Sequence, residues 1–216
     1  MNLLVLYDNT VYKKNLDLKS DWGFSCLIKS NEETVLFDTG AKGKILLKNM
    51  ETLGIDPSTI SKIVISHEHW DHNGGLKKLK KKLDKDVLIY RLGKIKTNNK
   101  FNILVTEPIK ISKNIYSTGK MPGSPVDEQS LILKGKKGFY ILAGCSHNGV
   151  KNILKKGKEY GKIIGIIGGL HGFKDFDLLK NLELICPTHC TKYKENIHNR
   201  YQDKTIEGGV GQTIEI

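Results

Sequence analysis

The stretch Ser66-His67-Glu68-His69-Trp70-Asp71-His72 decides how the fold of this chain is interpreted. It follows the apolar run Ile63-Val64-Ile65, a predicted buried strand, and it precedes Gly74-Gly75. A strand that ends in such a turn brings closely spaced side chains together at one edge of a sheet. Three of the seven histidines of the chain lie here beside an aspartate. That density indicates a functional cluster rather than core histidines.

The residue types of this cluster predict a metal site. Imidazole nitrogens and carboxylate oxygens suit zinc, and iron and manganese also accept them. A single ion cannot easily take four ligands from so short a loop. We therefore assign His67 and His69 to one ion, and Asp71 and His72 to a second. The predicted cofactors are two divalent metal ions, with zinc as the first choice and iron or manganese as alternatives.

The remaining composition is that of a globular protein. Of 216 residues, 38% are hydrophobic and 27% are charged, which predicts one domain over residues 1–216. The net charge of +12 fits a small anionic substrate. Nucleic acid is disfavoured as a partner, because the basic run at residues 77–82 contains no aromatic residues and lysine far outnumbers arginine. Nothing in the sequence specifies an oligomeric state.

The ends and the cysteines bear on the cellular compartment. The apolar start at residues 3–7 is too short for a signal peptide, and no run reaches the length that a membrane span needs. The four cysteines, Cys26, Cys145, Cys186 and Cys190, form no dense framework. We therefore expect a cytoplasmic protein with reduced thiols and no membrane association.

Strand-like runs alternate with amphipathic helices along the chain. Strands are predicted over residues 3–7, 24–29, 34–37, 63–65, 87–90, 103–105, 131–133, 139–143, 163–167, 184–185 and 213–216. Helices are predicted over residues 44–53, 75–83, 150–160 and 175–182, after Thr191, and as a short turn at 56–58. Hairpins are mixed with β–α units, so the predicted class is α+β, with two mixed β-sheets packed face to face and helices outside.

The motif His67-Glu68-His69-Trp70-Asp71-His72 matches H-x-H-x-D-H, and through it the chain resembles the metallo-β-lactamase superfamily. The segment Leu36-Phe37-Asp38-Thr39-Gly40 is similar to the first motif of that family. The resemblance implies an αββα four-layer sandwich. It also implies that Asp38 supports the metal-binding loop through hydrogen bonds without binding metal itself.

Further segments resemble one branch of the superfamily. That branch includes an archaeal dihydropterin-linked aminobenzene ribofuranosyl-phosphate synthase of methanopterin biosynthesis, together with uncharacterised metallo-hydrolases. The similar segments are Tyr7-Asp8-Asn9, Asp127-Glu128-Gln129-Ser130, Ala143-Gly144-Cys145-Ser146-His147-Asn148-Gly149-Val150, Gly168-Gly169-Leu170-His171-Gly172 and Pro187-Thr188-His189-Cys190-Thr191.

The resemblance assigns the remaining ligands to residues at predicted strand ends. His147 completes the first ion and His189 the second, the alternative for both being a helix-cap or core histidine. Cys145 stands where many relatives have a bridging aspartate. It either binds or bridges the ions, or is a small buried hydrophobic residue. The family's third-motif histidine is missing, since no histidine lies between Asn73 and Ser146. His171 is predicted to bind a substrate phosphate or to transfer a proton, and His198 to lie on the surface.

The predicted activity is attack by a metal-bound hydroxide on an ester, lactone or phosphoester, with Asp71 or His171 moving the proton. The alternative is a transferase that condenses an activated dihydropterin with an aryl ribofuranosyl phosphate and releases pyrophosphate. It ranks second because the chain is shorter than we expect for that synthase. A nuclease ranks third, since no insertion is long enough for a substrate-gripping arm. A di-iron redox protein is disfavoured, because its flavin-partnered relatives carry glutamate where His69 stands.

Overall fold

The computed structural model describes residues 1–30, 32–84, 86–93 and 101–216. The chain divides into two units. The first consists of Met1–Val105 with Gly209–Glu215, and the second of Thr106–Gly208 with Ile216. Each unit has its own β-sheet and its own helices. The single domain expected over residues 1–216 stays a prediction.

The described residues form strands throughout both units. The strands are β1 (Asn2–Tyr7), β2 (Ser25–Lys29), β3 (Thr34–Phe37), β4 (Lys62–Val64), β5 (Leu88–Arg91), β6 (Asn102–Leu104), β7 (Ile109–Ser112), β8 (Ile115–Ser117), β9 (Leu131–Lys134), β10 (Phe139–Ala143), β11 (Ile163–Gly169), β12 (Leu184–Thr188) and β13 (Thr213–Glu215). Their apolar residues are mostly buried, as expected for strands of valine, isoleucine and leucine that are covered on both faces.

The helices are fewer and short. They are α1 (Gly43–Thr52), α2 (Trp70–Asn73), α3 (Leu76–Lys80), α4 (Val150–Lys158) and α5 (Lys194–Arg200), with 3-10 turns at Pro57–Thr59 and Phe176–Leu179. In α4 the buried residues are Val150, Ile153, Leu154 and Gly157, a spacing that gives one apolar stripe facing the core. Among the described residues, no helix combines the length and the apolar character needed to cross a membrane.

Each sheet combines antiparallel and parallel strands. The first unit has the order β13-β1-β2-β3-β4-β5-β6, and the second has β12-β11-β10-β9-β8-β7. Strands β3 to β6 run parallel to one another, and so do β10, β11 and β12. The prediction of an α+β chain with two mixed sheets is therefore confirmed.

The parallel strands explain why the predicted site residues cluster. Parallel neighbours end at the same edge of a sheet, so the loops that leave them lie side by side. In the first unit, Asp38 follows β3 and the His67 loop follows β4. In the second unit, the loops that carry His147, His171 and His189 follow β10, β11 and β12 in turn.

Four elements differ from the prediction, and one of them is the short helix α2 (Trp70–Asn73), which the sequence did not predict. The helix predicted over residues 75–83 is only Leu76–Lys80, because like charges such as Lys77 and Lys81 lie four residues apart and disfavour a longer helix. The helix predicted over residues 175–182 is a 3-10 turn, Phe176–Leu179. Its hydrogen bonds join an N–H to the carbonyl oxygen three residues earlier. With these bonds Leu179 and Leu182 both lie in the core, so a longer α-helix is not needed to bury them. The hairpin β7–β8 was not predicted, since Ile109–Ser112 is mostly exposed.

Replacing Gly75 by alanine is expected to destabilise the first unit. Gly75 is the N-cap residue of α3 and has φ −73° and ψ −22°, angles that alanine adopts without strain. However, a Cβ atom would lie 2.1 Å from the carbonyl oxygen of Thr39, and such an overlap forces a backbone shift that costs about 1–3 kcal/mol. Because of this overlap, we expect the free energy of unfolding in urea to fall by about 1–2 kcal/mol.

A matched control for this variant is Gly172→Ala. A Cβ atom at Gly172 would meet nothing within 4 Å, and its φ is not in the left-handed range. The control should not lower the urea midpoint and should raise it slightly, since alanine at a compatible position stabilises by about 0.4–1 kcal/mol. A Gly75→Ala protein as stable as the wild type would show that Thr39 can move away at no cost.

Candidate metal centre

The loop after β4 carries the first-unit cluster, which we define as His67, His69, Asp71 and His72. His67 and His72 are completely buried. The Nε2 atom of His67 lies 3.0 Å from Nδ1 of His69, and the His67 and His72 rings lie 4.1 Å apart between centroids. The structure therefore brings the three predicted histidine ligands together around His67.

Asp38 fixes the orientation of this loop. It is fully buried. Its Oδ1 accepts a hydrogen bond from the Ser66 backbone N–H at 2.7 Å, and its Oδ2 accepts one from the Ser66 hydroxyl at 2.7 Å. The Nδ1 atom of His72 also lies 2.7 Å from Oδ2. Because a carboxylate accepts only, Nδ1 of His72 carries the proton and Nε2 is the nitrogen with a lone pair for a cation.

Asp71 is held by an aromatic side chain that the sequence did not single out. The indole N–H of Trp22 donates to Oδ2 of Asp71 at 2.8 Å, and the Phe24 backbone N–H donates to the Asp71 carbonyl oxygen at 3.2 Å. Half of the Trp22 surface is exposed. The indole N–H therefore binds Asp71 while part of the apolar ring faces solvent. The segment before β2 thus positions the carboxylate of Asp71.

Glu68, between the two histidines of the motif, anchors the loop to the end of β5. Its carboxylate accepts hydrogen bonds from Arg91, from the Asn73 side chain and from the Gly93 N–H. Burial raises the pKa of Glu68, but the hydrogen bonds and charge of Arg91, helped by Asn73 and Gly93, outweigh it and hold that pKa below its usual range. Glu68 is therefore an ionised side chain that connects the loop to Arg91 and Gly93.

The loops after β10, β11 and β12 form the second-unit cluster, defined as Cys145, His147, His171, His189 and Cys190. The His147 and His171 rings lie 4.9 Å apart between centroids in an edge-to-face arrangement. The ligand atoms of Cys145, His189 and Cys190 all lie within 4.8 Å of one another. The structure thus groups the predicted residues of this unit and adds Cys190 to them.

The backbone is strained at these loops. Among the described residues other than glycine, positive φ angles occur at Asp38 (58°), Ser146 (63°), His171 (48°) and His189 (45°). This left-handed conformation is uncommon for residues with a Cβ atom and costs about 1–2 kcal/mol each. Such strain collects at functional sites, and here each strained residue is a predicted site residue or the direct neighbour of one.

A buried carboxylate organises the loop after β10. Glu128 is fully buried, and its Oε1 accepts the backbone N–H groups of Cys145 at 2.8 Å and Ser146 at 3.1 Å. Its Oε2 accepts the N–H of His147 at 2.7 Å. Three consecutive N–H groups therefore converge on one side chain, which explains how Ser146 is held in the left-handed region.

The cysteines of the second unit differ in their surroundings. The Cys145 thiol lowers the pKa of Cys190 to about 6 by hydrogen bonding; burial acts in the opposite direction, and His189 and His171 lower it further. No disulfide forms within the described residues, which include all four cysteines. Cys186 is a buried residue of β12. It therefore belongs to the core.

Sequence reasoning missed three residues of this centre. They are Trp22, Glu128 and Cys190. Glu128 lies in a segment that resembles the branch, and Cys190 directly follows His189, so both carried a signal in the sequence. Trp22 carried none, because only the fold brings it to Asp71. The roles predicted for Cys145 and for the histidines as metal ligands stay predictions. His198 lies exposed on α5, in agreement with its prediction as a surface residue.

Histidine and aspartate side chains are the ligand types of zinc and related metal sites, and here they cluster in a loop after a parallel strand. The sequence model of the metallo-beta-lactamase superfamily matches residues 23–153. The chain belongs to the metallo-β-lactamase superfamily, and the predicted metallo-β-lactamase fold is confirmed.

Three relatives place the chain within the superfamily. It is 30% identical to the uncharacterised protein MJ0448 of Methanocaldococcus jannaschii, over 98% of this chain and 99% of that protein. It is 28% identical to the 7,8-dihydropterin-6-methyl-4-(beta-D-ribofuranosyl)-aminobenzene-5'-phosphate synthase of the same organism, over 81% of this chain and 82% of the synthase. The solved structure of Tm1679, described as a metal-dependent hydrolase of the beta-lactamase superfamily, is 26% identical. It superimposes with a TM-score of 0.80 over 100% of this chain and 99% of that one.

Proposed function

We propose that this protein is a dinuclear-metal-dependent hydrolase that cleaves an ester, lactone or phosphoester of a small anionic substrate. The observation that carries the proposal is the pair of nitrogens in the first-unit cluster, His67 Nε2 and His69 Nδ1, which face each other at 3.0 Å. Two ligands of one tetrahedral zinc ion, each at about 2.0–2.1 Å, lie about 3.3 Å apart. The histidine pair is therefore close to the spacing that a shared ion needs.

The donor set fits metal ions in a second respect. His72 has its Nδ1 fixed by Asp38 at 2.7 Å, and a carboxylate behind a ligating histidine fixes the tautomer and raises the basicity of the other nitrogen. The ligand assignment we propose is His67, His69 and His147 for the first ion, and Asp71, His72 and His189 for the second, with Cys145 as a bridging or additional ligand. This assignment rests on the resemblance of the motifs around these residues to the motifs of the superfamily. Zinc remains the first choice.

Two bound divalent ions would supply a water of lowered pKa, from about 15.7 towards 7, and a positive charge for the developing oxyanion. The chain's own residues have to orient the substrate and move the proton. We assign Asp71 as the acceptor of the proton from the attacking water, because the Trp22 N–H fixes its Oδ2. His171 is assigned to binding the anionic group or protonating the leaving oxygen, since its left-handed backbone and its contact with His147 fix the ring.

The Asp38→Asn variant is expected to bind metal about 10–100-fold more weakly. Asparagine tolerates the left-handed backbone of residue 38, so the loop should keep its path. Its single amide oxygen can keep the bond from the Ser66 backbone N–H only if the NH2 group takes the Oδ2 position. There the NH2 group would donate to Nδ1 of His72, which places the imidazole proton on Nε2, the nitrogen assigned to the metal. Zinc affinity measured by competition with a chromophoric chelator tests this. An unchanged affinity would mean that Asp38 only shapes the backbone.

The test of the proposed function combines metal content with turnover. Freshly purified protein should contain about two divalent ions per chain by elemental analysis. It should hydrolyse members of a panel of lactones, phosphomonoesters and phosphodiesters, and chelation should abolish turnover. No bound metal, even after reconstitution with zinc, iron or manganese, would exclude the proposal.

A second candidate is the transferase reaction, and the relationship to the synthase of Methanocaldococcus jannaschii favours it. In that case the metal centre would stabilise a diphosphate leaving group instead of activating water. Incubation with an activated dihydropterin and an aryl ribofuranosyl phosphate should then release pyrophosphate. Two bound metals without hydrolysis of any panel substrate, together with pyrophosphate release, would decide for the transferase.

A further inference from the structure

The second unit brings two thiols and an imidazole together at one point. Cys145 follows β10, while His189 and Cys190 follow β12, and their ligand atoms all lie within 4.8 Å of one another. Cys145 and His189 are at least nine-tenths buried, and Cys190 is partly buried. The cluster is thus a grouping of soft donors in a largely water-excluded position.

The fold makes room for Cys190 in this cluster. A Cβ atom at Gly169 on β11 would lie 2.7 Å from the Cys190 sulfur and 3.2 Å from Cα of Cys145. The Cys190 thiol can therefore rest against β11 and donate to the carbonyl oxygen of Cys145 at 3.8 Å. His189, at φ 45°, turns the chain so that two adjacent side chains, His189 and Cys190, both reach Cys145.

We propose that Cys190 is a metal ligand, and that Cys145, His189 and Cys190 form a thiolate-rich set that binds a thiophilic divalent ion such as zinc or iron(II). The inference rests on the proposed function in one respect, because His189 is assigned there to the second ion. It deepens that proposal by naming the chemical class of the ion.

Coordination geometry supports a single ion within this set. Sulfur ligands bind zinc at about 2.3 Å and imidazole nitrogen at about 2.0–2.1 Å, which places tetrahedral ligand atoms about 3.5–3.8 Å apart. A group already confined to 4.8 Å closes on an ion with small side-chain rotations. Thiolates favour zinc and iron(II) over magnesium or manganese, whose preferred ligands are oxygens. The set therefore disfavours manganese at this ion.

The test uses cobalt(II) as a spectroscopic probe on the full, reduced, metal-depleted chain. A thiol titration before the addition of cobalt verifies that the cysteines are reduced, so that a missing signal cannot be due to a disulfide. Thiolate ligation gives a sulfur-to-cobalt charge-transfer band in the near ultraviolet, whereas histidine and carboxylate ligands do not. Wild type should show this band. Cys190→Ser should lose about half of it, and Cys145→Ser with Cys190→Ser should lose all of it.

The matched control is Cys186→Ala. Cys186 is a buried cysteine of the same strand, β12, but is outside the group. It should keep the band at wild-type intensity. Cobalt affinity should fall at least about tenfold in Cys190→Ser. The loss of a residue that only hydrogen-bonds to a metal ligand already weakens metal binding by about 10–100-fold. A Cys190→Ser protein with the wild-type band and affinity would overturn the inference.

The outcomes separate this inference from the proposed function. Bound metal and hydrolysis without a charge-transfer band would refute thiolate ligation and leave the hydrolase intact. A band that disappears with the cysteines, in a protein that hydrolyses nothing, would support thiolate ligation and count against the hydrolase.

Discussion

A His67→Ala variant is expected to lose bound metal and to hydrolyse its substrate at least on the order of a thousand-fold more slowly than wild type. His67 is completely buried, and its ring lies against both His69 and His72. Alanine offers no ligand atom, so the first ion loses one of its proposed ligands. Metal stabilises a transition state by several kcal/mol, and each 1.4 kcal/mol is about tenfold in rate.

The measurement is elemental analysis of both proteins purified side by side, with turnover assayed on the same samples. His198→Ala is the matched control, because His198 lies exposed on α5 and should change neither metal content nor rate. Unfolding in urea verifies that the His67→Ala protein is folded. A folded variant with about two metals per chain and wild-type turnover would remove His67 from the centre.

The sequence predicted most strands of both sheets because they are short apolar runs, whereas the mostly exposed β7 and its partner β8 lack that signal. Strand β10 reads Phe-Tyr-Ile-Leu-Ala and strand β11 reads Ile-Ile-Gly-Ile-Ile-Gly-Gly, with no charged residue in either, as strands covered on both faces require. What the sequence could not show is the parallel pairing of β10, β11 and β12. That pairing is set by contacts between residues far apart in the chain, and it decides which loops become neighbours.

The site was predictable to the extent that it is local in sequence. The first-unit cluster lies within one loop, so its residue types and spacing were enough to indicate metal ligands. Cys145 and Cys190 are 45 residues apart, and no spacing rule relates them. The left-handed backbone at His171 and His189 was equally hidden, because histidine does not signal that conformation as glycine does. Long-range packing, and not local propensity, holds these loops.

Glu128 gives the clearest case of such a long-range effect. It lies 17 residues before Cys145, yet its carboxylate takes three successive backbone N–H groups of the loop that carries Cys145 and His147. Its own backbone is fixed by a two-way hydrogen-bonded pair with Met121. A hydrogen bond to a charged group contributes about 1.5–3 kcal/mol, and a buried donor left without an acceptor costs about 1–3 kcal/mol.

Glu128→Ala is therefore expected to lower the free energy of unfolding by about 3–5 kcal/mol, and Glu128→Gln by roughly 2 kcal/mol. The glutamine keeps one carbonyl oxygen for two of the N–H groups, but its amide nitrogen is a donor and faces the third. Glu159→Gln, an exposed partner of Lys156, is the control and should change the urea midpoint little, since a surface ion pair contributes about 0–1 kcal/mol. The order Ala below Gln below wild type would mean that the carboxylate holds the loop after β10. Equal stability of all three would mean that the left-handed turn at Ser146 is maintained by the strands alone.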